Sequence, residues 1–224
     1  YKKKRPAHNL FFEKLFYQKK DSNDTNFFIP DLGYEISPKN ITNIYLLIAA
    51  PGLHPVKTFG HSFLRIKGCK DKKCRKFFDV VASYSADINL KKASLIKGLT
   101  GGYFFNLSFA SYQETKNMYC IHEDRSLMSY SLKLCSDTKE RLILKLIEDY
   151  WEFNGSYKFI TKNCTTALIS LLHFSLPDMY IRDKKVITPF VLVKKLEQAS
   201  LLKKTPEVDH SFSENLQEII NKAH

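Results

Sequence analysis

The stretch Thr161-Lys162-Asn163-Cys164-Thr165-Thr166-Ala167-Leu168-Ile169-Ser170-Leu171-Leu172 constrains the chain most, because a polar cap runs straight into an apolar helical run. Asn163 suits an N-cap, since its side-chain oxygen accepts an orphan N–H of the first turn. Cys164 then occupies the first helical position, where exposed N–H groups and the helix dipole favour a thiolate. At 3.6 residues per turn, Cys164 shares a face with Ala167, Leu168 and Leu171, so the helix packs with its sulfur at the core edge. His173 is about half a turn out of phase and cannot partner Cys164 on the same helix. Any base must come from elsewhere in the chain. The plain alternative is a small buried cysteine, among the most buried of residue types.

The chain has 224 residues, 44% hydrophobic and 26% charged, which suits one globular domain with a sizeable core. Its net charge of +12 attracts nucleic acid or an anionic membrane surface. No aromatic-basic RNA motif or compact recognition helix stands out, so the membrane surface is the expected partner and nucleic acid is not. No run approaches the roughly 18 apolar residues of a membrane span. The chain begins at Tyr1, which implies removal of an upstream segment.

Five cysteines are present: Cys69, Cys74, Cys120, Cys135 and Cys164. The first two close a short loop, and Cys120 and Cys135 bracket a second, polar one. Local pairing as Cys69–Cys74 and Cys120–Cys135 leaves Cys164 as the odd thiol, a notable pattern in an exported protein. A zinc site on Cys69 and Cys74 is the runner-up, but it needs a second ligand pair that His54 and His61 do not supply. No metal and no cofactor are therefore expected.

Residues 1–42 read as a basic lead, a helix from His8 to Lys20 and a linker. Residues 43–224 read as a single catalytic domain, with its core in 43–174 and C-terminal helices in 188–224. Ile44 to Ala50 is an apolar central strand ended by Pro51-Gly52. Gly60 to Ile66 alternates as a strand with His61, Phe63 and Arg65 on one face. Lys76 to Ser83 is its return strand. Leu90 to Leu99 is weakly helical, Tyr103 to Phe109 an aromatic strand, Ser111 to Tyr119 a short helix and Ser126 to Leu134 another strand. Asp137 caps a helix that runs to about Phe153. The Asn163 helix, Pro189 to Leu202 and Ser213 to Ala223 follow. The pattern predicts an α+β fold with a mostly antiparallel sheet.

A thiol nucleophile needs a base and an oxyanion site. His61 is the best base, opening a strand just after a glycine; His54, in a loop before Pro55, is weaker. Asp79 on the adjacent strand is the candidate orienting group for the imidazole, with a paired hairpin carboxylate as the alternative. The backbone N–H of Cys164, behind the Asn163 cap, is the natural oxyanion donor.

Leu46 to Ile66, ending in Gly60-His61-Ser62-Phe63-Leu64-Arg65, together with Asn163-Cys164-Thr165-Thr166, resembles the Lnb N-terminal periplasmic domain family. The resemblance runs from about Asn43 to Leu172 and takes in Arg125, Leu132-Lys133-Leu134 and Tyr157. It departs at Ala167, where the family often has an arginine. It implies a papain-like fold of the circularly permuted NlpC/P60 type, with the cysteine-bearing helix packed on an antiparallel sheet and further helices at the periphery.

It also implies lipoprotein N-acyltransfer in a bacterial periplasm, at the membrane. Cys164 takes an acyl chain from a membrane phospholipid as a thioester, and the N-terminal amine of a diacylated lipoprotein accepts it. His61 serves as the base in both steps. Tyr103, Phe104, Tyr157 and Arg65 are the candidate substrate-binding residues, with Tyr103-Phe104-Phe105 lining an acyl groove. Two other readings remain open: a cysteine peptidase or amidase acting on cell-wall peptides with the same dyad, and a non-catalytic envelope domain that binds lipid or protein.

Overall fold

The computed structural model describes residues 7, 26–54, 57–70, 73–86, 94–176, 188–203 and 205–223. A hairpin comes first, β1 (Phe27–Ile29) and β2 (Tyr34–Ile36), closed through Gly33. The main sheet then opens with β3 (Ile41–Ala49), β4 (His61–Cys69) and β5 (Phe77–Ala86), three successive antiparallel neighbours. After the short helix α1 (Leu95–Thr100) come β6 (Tyr103–Ser111), α2 (Tyr112–Lys116) and a π-helical turn, Asn117–His122. β7 (Leu127–Ser131), α3 (Ser136–Glu152), β8 (Gly155–Tyr157) and α4 (Cys164–Ser175) follow. α5 (Pro189–Gln198), β9 (Glu207–Asp209) and α6 (Phe212–Ala223) complete the order.

The sheet has seven strands in the order β8-β6-β5-β4-β3-β7-β9, with every neighbouring pair antiparallel. The fold is therefore α+β around a large antiparallel sheet. Alternation divides its two faces. Ile44, Leu46, Ile48, Leu64, Ile66, Val80 and Ala82 face one way and bury α3, α4 and α5 in the main core. Leu47, Ala49, Phe63, Val81 and Leu127 face the other way, into a smaller cluster with Cys120 and Tyr119 of the π turn and Tyr112 of α2. With both faces covered, the central strands read as nearly unbroken apolar runs.

Several elements differ from the sequence reading. The His8–Lys20 helix lies outside the described residues. Cys135, rather than Asp137, is the N-cap of α3, which places Asp137 inside the first turn. The helix expected from Ser111 keeps α-geometry for one turn behind a Ser111–Glu114 capping box, then widens into the π turn. The strand expected over Ser126 to Leu134 is confined to Leu127–Ser131.

Cys69 and Cys74 are bonded, which fixes the β4–β5 hairpin and removes both from zinc chemistry. The expected Cys120–Cys135 pair is a correction, because both thiols are free. Cys120 is buried in the smaller cluster, whereas Cys135 stands exposed at the start of α3, on the main-core side. β7 runs between them and delivers them to different layers, despite the short stretch of sequence that separates them.

Candidate active site

α4 begins as its sequence demands. Asn163 Oδ1 accepts the Thr166 N–H at 3.1 Å, and Thr166 Oγ1 accepts the Asn163 N–H at 2.9 Å. Asn163 Nδ2 donates to the Phe159 carbonyl at 2.8 Å, so its side chain is consumed in holding the turn before the helix. Asn163 therefore acts as a cap. The Cys164 N–H remains without an acceptor among the described residues, as the first N–H groups of a helix do.

Cys164 is buried, and Thr165 is fully buried beside it. The Thr165 hydroxyl lies 3.3 Å from that of Ser62 and 3.9 Å from the Cys164 sulfur. Ser62 is the second residue of β4 and faces α4; His61 precedes it and leaves the opposite face. At a strand's first residue the sheet ends, so an imidazole from one face can meet a thiol arriving over the other.

Burial pushes the Cys164 thiol up, but the His61 charge, a hydrogen bond with His61, and hydrogen bonds from the Ser62 side chain and backbone outweigh it. The thiol is brought down from an ordinary 9.0 to about 6. A thiol lowered in this way can serve as a nucleophile at neutral pH, whereas an apolar pocket alone would leave it inert.

His61 is held by several contacts. Gly60 precedes it at φ 75°, a conformation that favours glycine, and a Cβ there would fall 2.7 Å from the Ala49 carbonyl oxygen. His61 Nε2 lies 3.2 Å from the Ser83 hydroxyl, and its ring meets Phe63 edge-on at 4.3 Å. Phe63 in turn meets Tyr119 edge-on at 5.2 Å, and the Arg125 guanidinium sits 5.0 Å above the Tyr119 ring. Burial raises the Tyr119 and Tyr157 phenols, and the nearby Cys164 charge adds to both. The thiol is thus walled by His61, Ser62, Tyr119 and Tyr157.

Asp79 does not join this group. It lies four residues beyond Ser83 on the same face of β5, roughly 13 Å further along at about 3.3 Å per residue. There it accepts from Arg65 Nε at 2.9 Å and Nη2 at 2.8 Å, and Ser83 occupies the place beside the imidazole. Arg65 is also a correction. It is buried, bonds Ser129 at 3.0 Å and Glu207 at 3.4 Å, and stacks 3.4 Å from the Tyr112 ring, so its donors are committed to the fold.

The aromatic strip Tyr103-Phe104-Phe105 is split by strand alternation rather than lining one groove. The Tyr103 hydroxyl accepts the Ser94 N–H at 2.6 Å, Phe104 is exposed and Phe105 is buried in the main core. A cavity of about 410 Å³ lies on the other flank of α4, bordered by Phe105, Phe153, Lys162, Thr166 and Ala167. Ala167, where the resembling family often carries arginine, is one of its walls.

Ser62, Ser83, Tyr119 and Thr165 were not singled out from sequence. Ser62 and Thr165 adjoin the two candidate residues in the chain, so alternation and helix phase held a signal for them. Tyr119 had none, because its inward position depends on the π turn.

Among the described residues no helix is long and apolar enough to cross a membrane, and no cluster of metal-ligating side chains occurs. A search of curated proteins and of solved structures finds no match. A family profile, the Lnb N-terminal periplasmic domain, does match, over residues 34–199, a wider span than the sequence resemblance covered. With well over half of its 224 residues inside that match, the chain belongs to the Lnb N-terminal periplasmic domain family, which fits the periplasm or cell envelope.

Proposed function

We propose that the domain is a cysteine-dependent acyltransferase that moves an acyl chain from a membrane phospholipid to the N-terminal amine of a diacylated bacterial lipoprotein. The observation that carries this reading is the Cys164 thiol, buried at a helix start and lowered to about 6 by His61 and Ser62. Family membership, and a cysteine helix packed on an antiparallel sheet with the histidine at a strand start, also support it. The same arrangement supports the papain-like, permuted NlpC/P60 reading of the fold.

In the first half-reaction the Cys164 thiolate attacks the ester carbonyl of the phospholipid. The tetrahedral oxyanion is held by the Cys164 N–H. Collapse breaks the ester C–O bond, and protonated His61 gives its proton to the lysophospholipid alkoxide as it leaves. A thioester to Cys164 remains. In the second half-reaction the lipoprotein amine attacks that thioester, His61 accepts the amine proton, and the C–S bond breaks as the amide forms. Cys164 returns as a thiolate beside a protonated His61, ready for the next cycle. Ser83 positions the imidazole through Nε2.

Intact-protein mass spectrometry after incubation with phospholipid micelles tests the reading. The expected product is a long-chain acyl adduct on Cys164, released by hydroxylamine and absent from Cys164→Ser and His61→Ala. A diacylated lipopeptide with a free N-terminal amine should discharge it into an N-acylated product. Absence of any adduct, with cleavage of cell-wall peptides instead, would replace the acyltransferase by an amidase.

A further inference from the structure

The strand register sends the site-bearing connections to one end of the sheet. Ala49 pairs with both His61 and Leu127, Ala86 pairs with Phe105, and Tyr103 pairs with Tyr157. β3 and β5 therefore end, and β4, β6 and β7 begin, at the end where Cys164 and His61 meet. The segments 50–54, 57–60, 94–102, 117–126 and 158–163 all emerge there.

These same connections expose large apolar side chains. Leu53 and Phe59 project from the segment before His61. Met118 and Ile121 flank the inward-facing Tyr119 on its outer side, and Ile96 and Ile160 stand on the Cys164 side. Single exposed apolar residues need no explanation, but a collar of them around one end of a molecule does.

The Cys164 side of the collar is also basic. Lys97, Lys158 and Lys162 have no carboxylate partner among the described residues, and neither 94–104 nor 155–163 contains an Asp or Glu. α1 and the 158–162 turn interlock through Phe159 N–H to the Gly98 carbonyl at 2.9 Å, which joins these residues into one surface. Apolar side chains with unpaired lysines at their margin match the chemistry of an anionic bilayer: the former enter the acyl boundary while the latter reach headgroup phosphates.

We propose that this end of the sheet is a docking face for an anionic lipid bilayer, seating the Cys164 thiol at the membrane surface. It deepens the acyltransferase reading by giving the acyl donor its route, yet the docking itself requires no reaction at Cys164.

Flotation of the full chain with vesicles of phosphatidylglycerol and phosphatidylethanolamine, against phosphatidylcholine alone, tests the face. Wild type should float with the anionic vesicles and more weakly with phosphatidylcholine. Ile96→Asp combined with Ile160→Asp should lose at least about tenfold in binding, with an unchanged melting temperature. Lys97→Ala and Lys158→Ala should each weaken it about fivefold. Lys73→Ala and Phe77→Asp, at the opposite end of the sheet, are the controls for net charge and for general apolar exposure, and should bind as wild type does. Cys164→Ala should also bind as wild type, so a failure of the thiol chemistry leaves this result untouched. Three outcomes would overturn the proposal: wild type that does not float, opposite-end variants that lose as much as the collar variants, or a wild-type dimer in sedimentation that the isoleucine variant dissolves, which would make a second copy the occupant.

Discussion

Cys164 is buried, and burial alone would raise its thiol above the ordinary range; the balance is reversed by His61 and Ser62. The thiolate should therefore persist at neutral pH and be lost only as the pH falls through about 6. Alkylation by iodoacetamide should follow that curve, with a plateau above pH 7. In His61→Ala the midpoint should move upward, because the largest factor opposing burial is gone. A midpoint that stays near 6 in that variant would remove His61 from the dyad. Helix-start chemistry made Cys164 legible in the sequence, and the glycine before it marked His61. Asp79 was misread because the relation of one strand to the next sets register, and no single strand carries it. Asp79→Asn should leave the alkylation curve in place while lowering stability by about 1–3 kcal/mol, since Arg65 stays buried and loses its bidentate partner. Chemical denaturation measures the loss. An unchanged stability together with a shifted alkylation curve would return Asp79 to the site.

The elements that carry the site are rigid for reasons that differ in how far sequence reveals them. α4 is announced by its cap and its apolar phase. β3 and β4 are announced by apolar runs, although their place at the centre of seven strands is not, because β7, the second neighbour of β3, and the outer strands β6, β8 and β9 come from more distant segments. The π turn is invisible, since its extra residue per turn changes which side chains face inward without altering composition. It brings Tyr119 and Cys120 into the smaller cluster. That widening also explains the failed Cys120–Cys135 pairing, as the turn buries one thiol in the layer opposite the start of α3. At the β3–β4 connection the decisive residue is Gly60, whose φ of 75° and 2.7 Å approach to the Ala49 carbonyl exclude a side chain. Gly60→Ala should cost about 1–3 kcal/mol, through the left-handed backbone and the displaced Ala49 carbonyl. Because His61 is the next residue, the thiol's alkylation midpoint should rise in the same variant. A loss of stability with an unmoved midpoint would show that the strand start tolerates the shift without disturbing the imidazole.

Across the whole molecule, stability and function are distributed unequally. The central strands β3, β4 and β5 are covered on both faces and hold the deepest side chains, among them Leu46, Ile48, Leu64 and Val80. α6 is the opposite case. Its described side chains are all exposed, and it is tied at its N-terminal end through the Ser213 N–H to Asp124 Oδ1 at 2.8 Å and the Ser211 N–H to Glu214 Oε2 at 3.1 Å. A helix of this length is marginal in water without packing. Local opening free energies should therefore run from near zero in α6 to the global value in the central strands. Amide hydrogen exchange should show α6 exchanging first and β3, β4 and β5 last. α4 should group with the central strands, since Leu168, Leu171 and Leu172 are buried against them. His61 and Cys164 would then sit at the ends of the slowest-exchanging elements, with the collar connections exchanging sooner around them. That division suits a preorganised thiol–imidazole pair reached through adaptable surroundings. If α4 instead exchanges as fast as α6, the Cys164 helix start is not held by the core, and the alkylation midpoint of the thiol should then lie nearer its ordinary value than 6.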